Sequence, residues 1–263
     1  MKAGRASTAG RLAILLATLA TVSLLSGCWY QVGYGAEHGY YNAVEHTLTR
    51  SNVANLEPAW DTSIAVPKTE AVVSGNRVYV SVSSSATTGQ PGVAALDLGT
   101  GEALWTATIG LSWARLVVQP VVVVGEELWV SYFGWGGDRC GGAMVRLDAA
   151  TGASLGTVHV GAASAAVRFG DDVAWTGYSL DPTAKCTTTS STTLTVRDLA
   201  SGATVWTAPV DSLSLPAVVG DKIIVNGKAY DAAGCGAETC SPVWSAALTE
   251  PVRTVRPAQS AAA

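Results

Sequence analysis

Charge is scarce in this chain. Only 14% of its 263 residues are Asp, Glu, Lys or Arg, while hydrophobic residues make up 48%. That excludes a disordered chain and favours a well-buried core, long enough for one large all-β domain or two small ones. Basic residues are scarcer still beyond the first 27 positions, which hold Lys2, Arg5 and Arg11 and no acid. The remainder sets 13 basic residues against 20 acidic ones, a net charge of −7. No basic patch able to neutralise phosphates is left, so nucleic acid is not an expected partner. A Gly-rich phosphate loop, a Ser-His-Asp arrangement and paired catalytic carboxylates are all missing. Phenylalanine is nearly absent, at 2 residues against 9 Trp, so tryptophan takes the large aromatic positions.

The apolar run from Leu12 to Leu25, 14 residues, is short for a transmembrane helix but suits the core of an export signal. It follows a short basic segment and ends in Leu25-Ser26-Gly27-Cys28. This resembles the bacterial lipobox, in which the cysteine thiol is acylated and the chain is cut just before it. The expectation is therefore a signal peptide over 1–27 and lipid attachment, of palmitate type, at Cys28. The protein would be held at the cell membrane on its extracytoplasmic side. Each buried acyl methylene contributes roughly 0.8 kcal/mol to such an anchor.

The rest of the chain repeats. LDLGTGEALW (96–105), LDAATGASLG (147–156) and RDLASGATVW (197–206) place Asp97, Asp148 and Asp198 at spacings of 51 and 50 residues. A degenerate fourth copy starts at Tyr230 and reaches Trp244 after an insertion. Upstream of each copy stands a β-branched run, a Gly-polar turn and an alternating strand, with Gly75, Gly125, Gly170 and Gly220 at the turns. Each such stretch reads as a β-hairpin, and each Asp-Gly stretch as a second one. Two hairpins make a four-stranded antiparallel unit that cannot bury both faces alone. Radial stacking of such units gives a propeller.

Asp97, Thr100, Gly101 and Trp105 resemble in full the D-x-x-T-G-x-x-x-W signature of the pyrroloquinoline-quinone-type propeller repeat. Asp198, Ser201, Gly202 and Trp206 match with Ser for Thr. Asp148, Thr151 and Gly152 match, but Gly156 stands where the tryptophan belongs. The resemblance implies an all-β propeller of about four blades, near 65–110, 111–161, 162–210 and 211–249. Residues 28–64 would link the anchor to the first blade, and 250–263 would form a disordered tail. The ring is either a small four-bladed one closed by the N-terminal strand or an incomplete, open arc. The signature residues are read as structural, and the junction at Gly156 as looser or filled by Trp129 or Trp175.

Five cysteines are present. With Cys28 assigned to lipid, the other four are disulfide candidates in an exported chain. The favoured pairing is Cys235 with Cys240, inside one Gly-rich turn, and Cys140 with Cys186, at similar places in adjacent repeats; a zinc site is the sharper alternative. His38 and His46 have Glu37 and Glu45 beside them, but the simpler reading is a Tyr-rich segment packed over the propeller. His159 lies in an alternating strand and reads as structural. The stretch YFGWGGDRCGG (132–142) reads as a candidate binding loop, with Tyr132, Phe133 and Trp135 as a stacking surface for sugar or peptide.

Three function classes follow. The first is a non-catalytic binding or scaffold lipoprotein that docks an envelope protein or polysaccharide; the family's outer-membrane assembly lipoprotein is a precedent. The second is a quinoprotein dehydrogenase-like fragment using pyrroloquinoline quinone with calcium. Many such enzymes stack the quinone on adjacent cysteines, which this chain lacks. The third is a carbohydrate-binding propeller. The first is preferred, with no catalytic residue, no metal and no cofactor expected.

Overall fold

The computed structural model describes residues 29, 31–42, 47–64, 69–82, 91–110, 115–136, 139–179 and 191–246. The expected export signal, Cys28, His46, Cys186 and the tail from 250 lie outside the described residues. Apart from a 3-10 turn at Val53–Asn55, the regular structure is all strand. No helix among the described residues is long and apolar enough to cross a membrane.

β1 (Val72–Ser74), β2 (Arg77–Val82), β3 (Gly92–Asp97) and β4 (Ala103–Thr108) form one antiparallel sheet in that order. β5 (Arg115–Val118) and β6 (Val122–Val124) both pair with β7 (Glu127–Gly136), which continues to β8 (Arg139–Asp148) and β9 (Ser154–Ala163). β10 (Val167–Phe169), β11 (Asp172–Ser179), β12 (Thr192–Asp198) and β13 (Thr204–Val210) make the third unit. β14 (Ala217–Val219), β15 (Lys222–Val225), β16 (Lys228–Asp231) and β17 (Trp244–Ser245) make the fourth. The end of β9 pairs with β11, which merges the second and third units into one sheet. β6 lies against β1 and β10, and β10 against β14, so the first strands line a common axis. The fold is a β-propeller of four blades. Among the described residues no strand pairing joins the fourth blade to the first, and the arc is open at the level of its sheets.

Both faces of a blade are buried, and the two-residue period of a strand sorts its side chains between them. Along β2, Tyr79 joins Val93, Ala95, Leu128 and Leu147 in the core between the first two blades. Its neighbours Val78, Val80 and Val82 face the other way, against Trp60 and Ile64 of the lead-in segment. Trp129 and Met144 meet Val173 and Trp175 between the second and third blades. Val196 and Trp206 meet Ile223 and Tyr230 between the third and fourth.

Each hairpin between the third and fourth strands is locked by its aspartate. Asp97 Oδ1 accepts hydrogen bonds from the Gly99 and Thr100 amides, both at 2.9 Å. Asp148 accepts from the Thr151 amide at 2.8 Å and its hydroxyl at 2.6 Å. Asp198 accepts from the same two groups of Ser201. The hydroxyl and then the amide hold Asp148 and Asp198 below the usual carboxylate range. A depressed folded-state pKa stabilises the fold above the unfolded value, about 4, and that contribution is lost as pH falls through the folded value. Thermal melts between about pH 5 and 2 should therefore fall less steeply for Thr151→Val and Ser201→Ala than for the native protein. Parallel slopes would show that these turns do not contribute to acid sensitivity.

Residues 29–38 do not form a free linker. Val73 donates to Trp29 O at 2.8 Å, and Val218 donates to Ala36 O at 2.8 Å. The Gln31 amide pairs with both backbone groups of Arg168, at 3.2 and 2.9 Å. His38 places its ring nitrogens 2.8 Å from Val32 O and 2.9 Å from Pro216 O. This segment thus holds the axis-lining strands of the first, third and fourth blades at once.

Candidate functional site

Two blade junctions, and the seat of the lead-in segment on the first blade, are sealed the same way. Trp60 stacks on Gly101, Trp105 on Gly152 and Trp206 on Gly234, each indole lying on the hairpin turn of the following blade. Each turn glycine has positive φ (+73, +73 and +83°), and a Cβ there would stand 2.5–2.6 Å from the indole carbons. Only glycine meets both demands. The indole N–H groups donate to Leu98 O at 2.8 Å, Ala149 O at 3.2 Å and Ala232 O at 3.1 Å. All three acceptors are the residue after the turn aspartate.

The junction between the second and third blades breaks this rule. Gly156 pairs with Arg146 as Trp105 pairs with Ala95 and Trp206 with Val196, so it occupies the tryptophan's register position. Its φ is +121°, and nothing lies within 4 Å of where a Cβ would stand. β9 also carries an extra register shift opposite Met144 and Val145. Two neighbouring core positions change with it. Arg146 replaces the small apolar Ala95, Val196 and Ala229 of the other blades, and Arg197 replaces Leu96, Leu147 and Tyr230.

The result is a groove of two adjoining clefts, about 450 and 540 Å³, that share Val158 and Arg197. In the first, Arg146 pairs with Glu127 at 3.3 Å and donates to Leu155 O at 3.2 Å. Arg197 donates from Nε to Gly202 O and lays its guanidinium over that turn. Trp129 and Trp175 meet edge to face at 6.4 Å and fill only the inner part of the junction. Trp175 is 3% exposed, and its indole N–H has no hydrogen-bond partner among the described residues. It lines the second cleft with His159 and Thr195. Burial pushes the His159 pKa down, favouring the neutral ring at pH 7.

A second repeated feature escaped the sequence reading. Ser81, Ser131 and Thr176 are buried hydroxyls that donate to Gln119 O, Ser164 O and Ser214 O of the next blade, each at 2.8 Å. Each stands six residues after the turn glycine, and the fourth blade has Asn226 there. Asn226 instead binds back to Ser212 and Ser214. The signal was available in the repeat alignment as Ser, Ser, Thr, Asn.

The expected binding loop is strand. Tyr132, Phe133 and Trp135 lie within β7, paired with β5 and β8. Tyr132 faces the core between the first and second blades. Phe133 contacts Trp135 at 5.8 Å and Tyr178 at 6.5 Å, and Trp135 is 43% exposed. These aromatics are not part of the groove lining. Cys235 and Cys240 form a disulfide. Cys140 is also disulfide-bonded, and its expected partner Cys186 lies outside the described residues.

The family resemblance raises the question of a quinone over calcium at the propeller centre. Among the described residues no three His, Cys, Asp or Glu side chains gather as a metal-holding group. Residues 29–38 run along the axis-lining strands, and the cysteines of the 235–240 bridge are five positions apart.

No protein-family model matches the chain, and comparison with curated proteins finds no match. Among solved structures it is similar to the quinohemoprotein alcohol dehydrogenase from Comamonas testosteroni, with a TM-score of 0.51 and 19% identity over 72% of this chain. It is also similar to BamB from Moraxella catarrhalis, with a TM-score of 0.34 and 17% identity over 65% of this chain. The chain spans 28% of the length of the first protein and 57% of the second. At such identity the first likeness bears on fold alone, and it agrees with the strand order described above: the chain is a β-propeller.

Proposed function

We propose that this chain is an exported lipoprotein, anchored through Cys28 on the extracytoplasmic side of a membrane. Its propeller serves as a non-catalytic binding module for an envelope protein. The observation that carries the binding role is the groove between the second and third blades. Tryptophans seal the other two junctions between blades and the seat of the lead-in segment, whereas this junction is open and lined by arginines, and such a concave surface with a few polar groups suits a ligand. The anchoring rests on the basic start, the apolar core and the Leu25-Ser26-Gly27-Cys28 box. The non-catalytic role is supported by the commitment of Asp148 and Asp198 to their own turns.

The test has two arms. Expressed in a bacterial host, the native protein should partition with membranes, and Cys28→Ala should move it to the soluble fraction. Pyrroloquinoline quinone and calcium added to the purified protein should give neither a bound chromophore nor alcohol oxidation. An unchanged distribution of Cys28→Ala would overturn the anchor. Stoichiometric quinone binding with turnover would overturn the non-catalytic role.

A further inference from the structure

We propose that the cleft beside Gly156 accepts an indole-sized aromatic ring carried by a partner polypeptide, seated where the second repeat lacks its own tryptophan. This builds on the groove as the binding surface. The platform for such a ring is already built. Leu199 and Gly202 occupy the turn positions at which Leu98 with Gly101, Ala149 with Gly152, and Ala232 with Gly234 receive an indole from the neighbouring blade. At this junction the planar group on the turn is the Arg197 guanidinium, with Nη2 3.4 Å from where a Gly202 Cβ would stand. A guanidinium is a stacking partner for an aromatic face. About 450 Å³ remains, walled by Trp129, Thr157 and Val158.

One further observation favours a ring that arrives on a polypeptide. Among the described residues, Ser154 to Val160 of β9 pair only with β8, beside the cleft. Open edges are where extended chains dock.

The test uses the full-length protein in detergent, with N-acetyl-L-tryptophanamide as probe and N-acetyl-L-leucinamide as control. The native protein should bind the tryptophan probe saturably and the leucine control at least tenfold more weakly. Gly156→Trp should reduce probe binding at least tenfold by filling the cleft. Since Gly156 has positive φ, Arg197→Ala is the second variant, expected to keep the fold and weaken binding several-fold. Absent saturable binding, equal binding of the control, or unchanged affinity in Arg197→Ala would each overturn the proposal. Binding of free indole without binding of N-acetyl-L-tryptophanamide would overturn the polypeptide source. These failures leave membrane anchoring and lack of turnover untouched, and quinone-dependent turnover would leave the measured ring affinity as it stands.

Discussion

Trp206→Ala is expected to destabilise the protein by about 3–5 kcal/mol, the usual cost of truncating a buried tryptophan. The side chain is 1% exposed and packs against Tyr230 and the turn at Gly234. Its loss opens a cavity at the junction between the third and fourth blades and leaves Ala232 O without its indole donor. Against a typical net stability of about 5–15 kcal/mol, this is enough to impair accumulation of the protein. Trp105→Ala should fall toward the lower end of that range, because its indole is only partly buried. Trp135→Ala, on the exposed side of β7, should cost less than about 1 kcal/mol. Denaturant unfolding of the three variants reads the order directly. If Trp135→Ala proves the most damaging, the assignment of the seam tryptophans is wrong.

Gln31→Ala should rank second, at about 2–4 kcal/mol, through hydrogen bonding instead of volume. Gln31 is 1% exposed, and its side-chain amide is the partner of both the N–H and the C=O of Arg168. Each buried group left unpaired costs about 1–3 kcal/mol. Water entering beside Ala36 and Arg168, which line a cleft of about 590 Å³, offsets part of this. Hydrogen exchange adds a local readout: the Arg168 amide should lose protection in Gln31→Ala. Gln31→Glu retains an acceptor for that amide but no donor for the carbonyl, and should preserve more of its protection. An unaltered Arg168 exchange rate in Gln31→Ala would remove the segment from the account of stability.

The parts of the fold visible in the sequence are those that local geometry prescribes. A hairpin needs its turn residues at fixed places, so Asp97, Asp148 and Asp198 with their glycines announce themselves at regular spacing. The seam tryptophans follow because they keep a fixed distance from those turns. The missing tryptophan at Gly156 likewise marked a junction either looser or filled by Trp129 or Trp175, and the two indoles meet there. What stayed hidden depends on distant partners. Gln31 meets Arg168 across 137 residues, and nothing around either residue marks the pairing. The hydroxyls of Ser81, Ser131 and Thr176 looked like ordinary strand residues because their acceptors belong to the next blade. The stretch 132–142 looked like a loop because it is rich in glycine. In the structure a Cβ on Gly142 would stand 2.6 Å from Tyr132 O and 2.9 Å from Gly161 O. The glycine there lets three chain segments approach closely within paired strands.

The segment at 29–38 also sets an order of assembly. His38 contacts Pro216 across 178 residues, and Ala36 receives the amide of Val218. A chain emerging from its amino end displays this segment well before the fourth-blade groups it binds. Hairpins within each blade close over short loops, whereas this clasp must wait for the fourth blade and bear the entropy of closing a very long loop. Docking of this segment should therefore be a late step of folding. Chains interrupted before the fourth blade would keep it undocked, in reach of proteases.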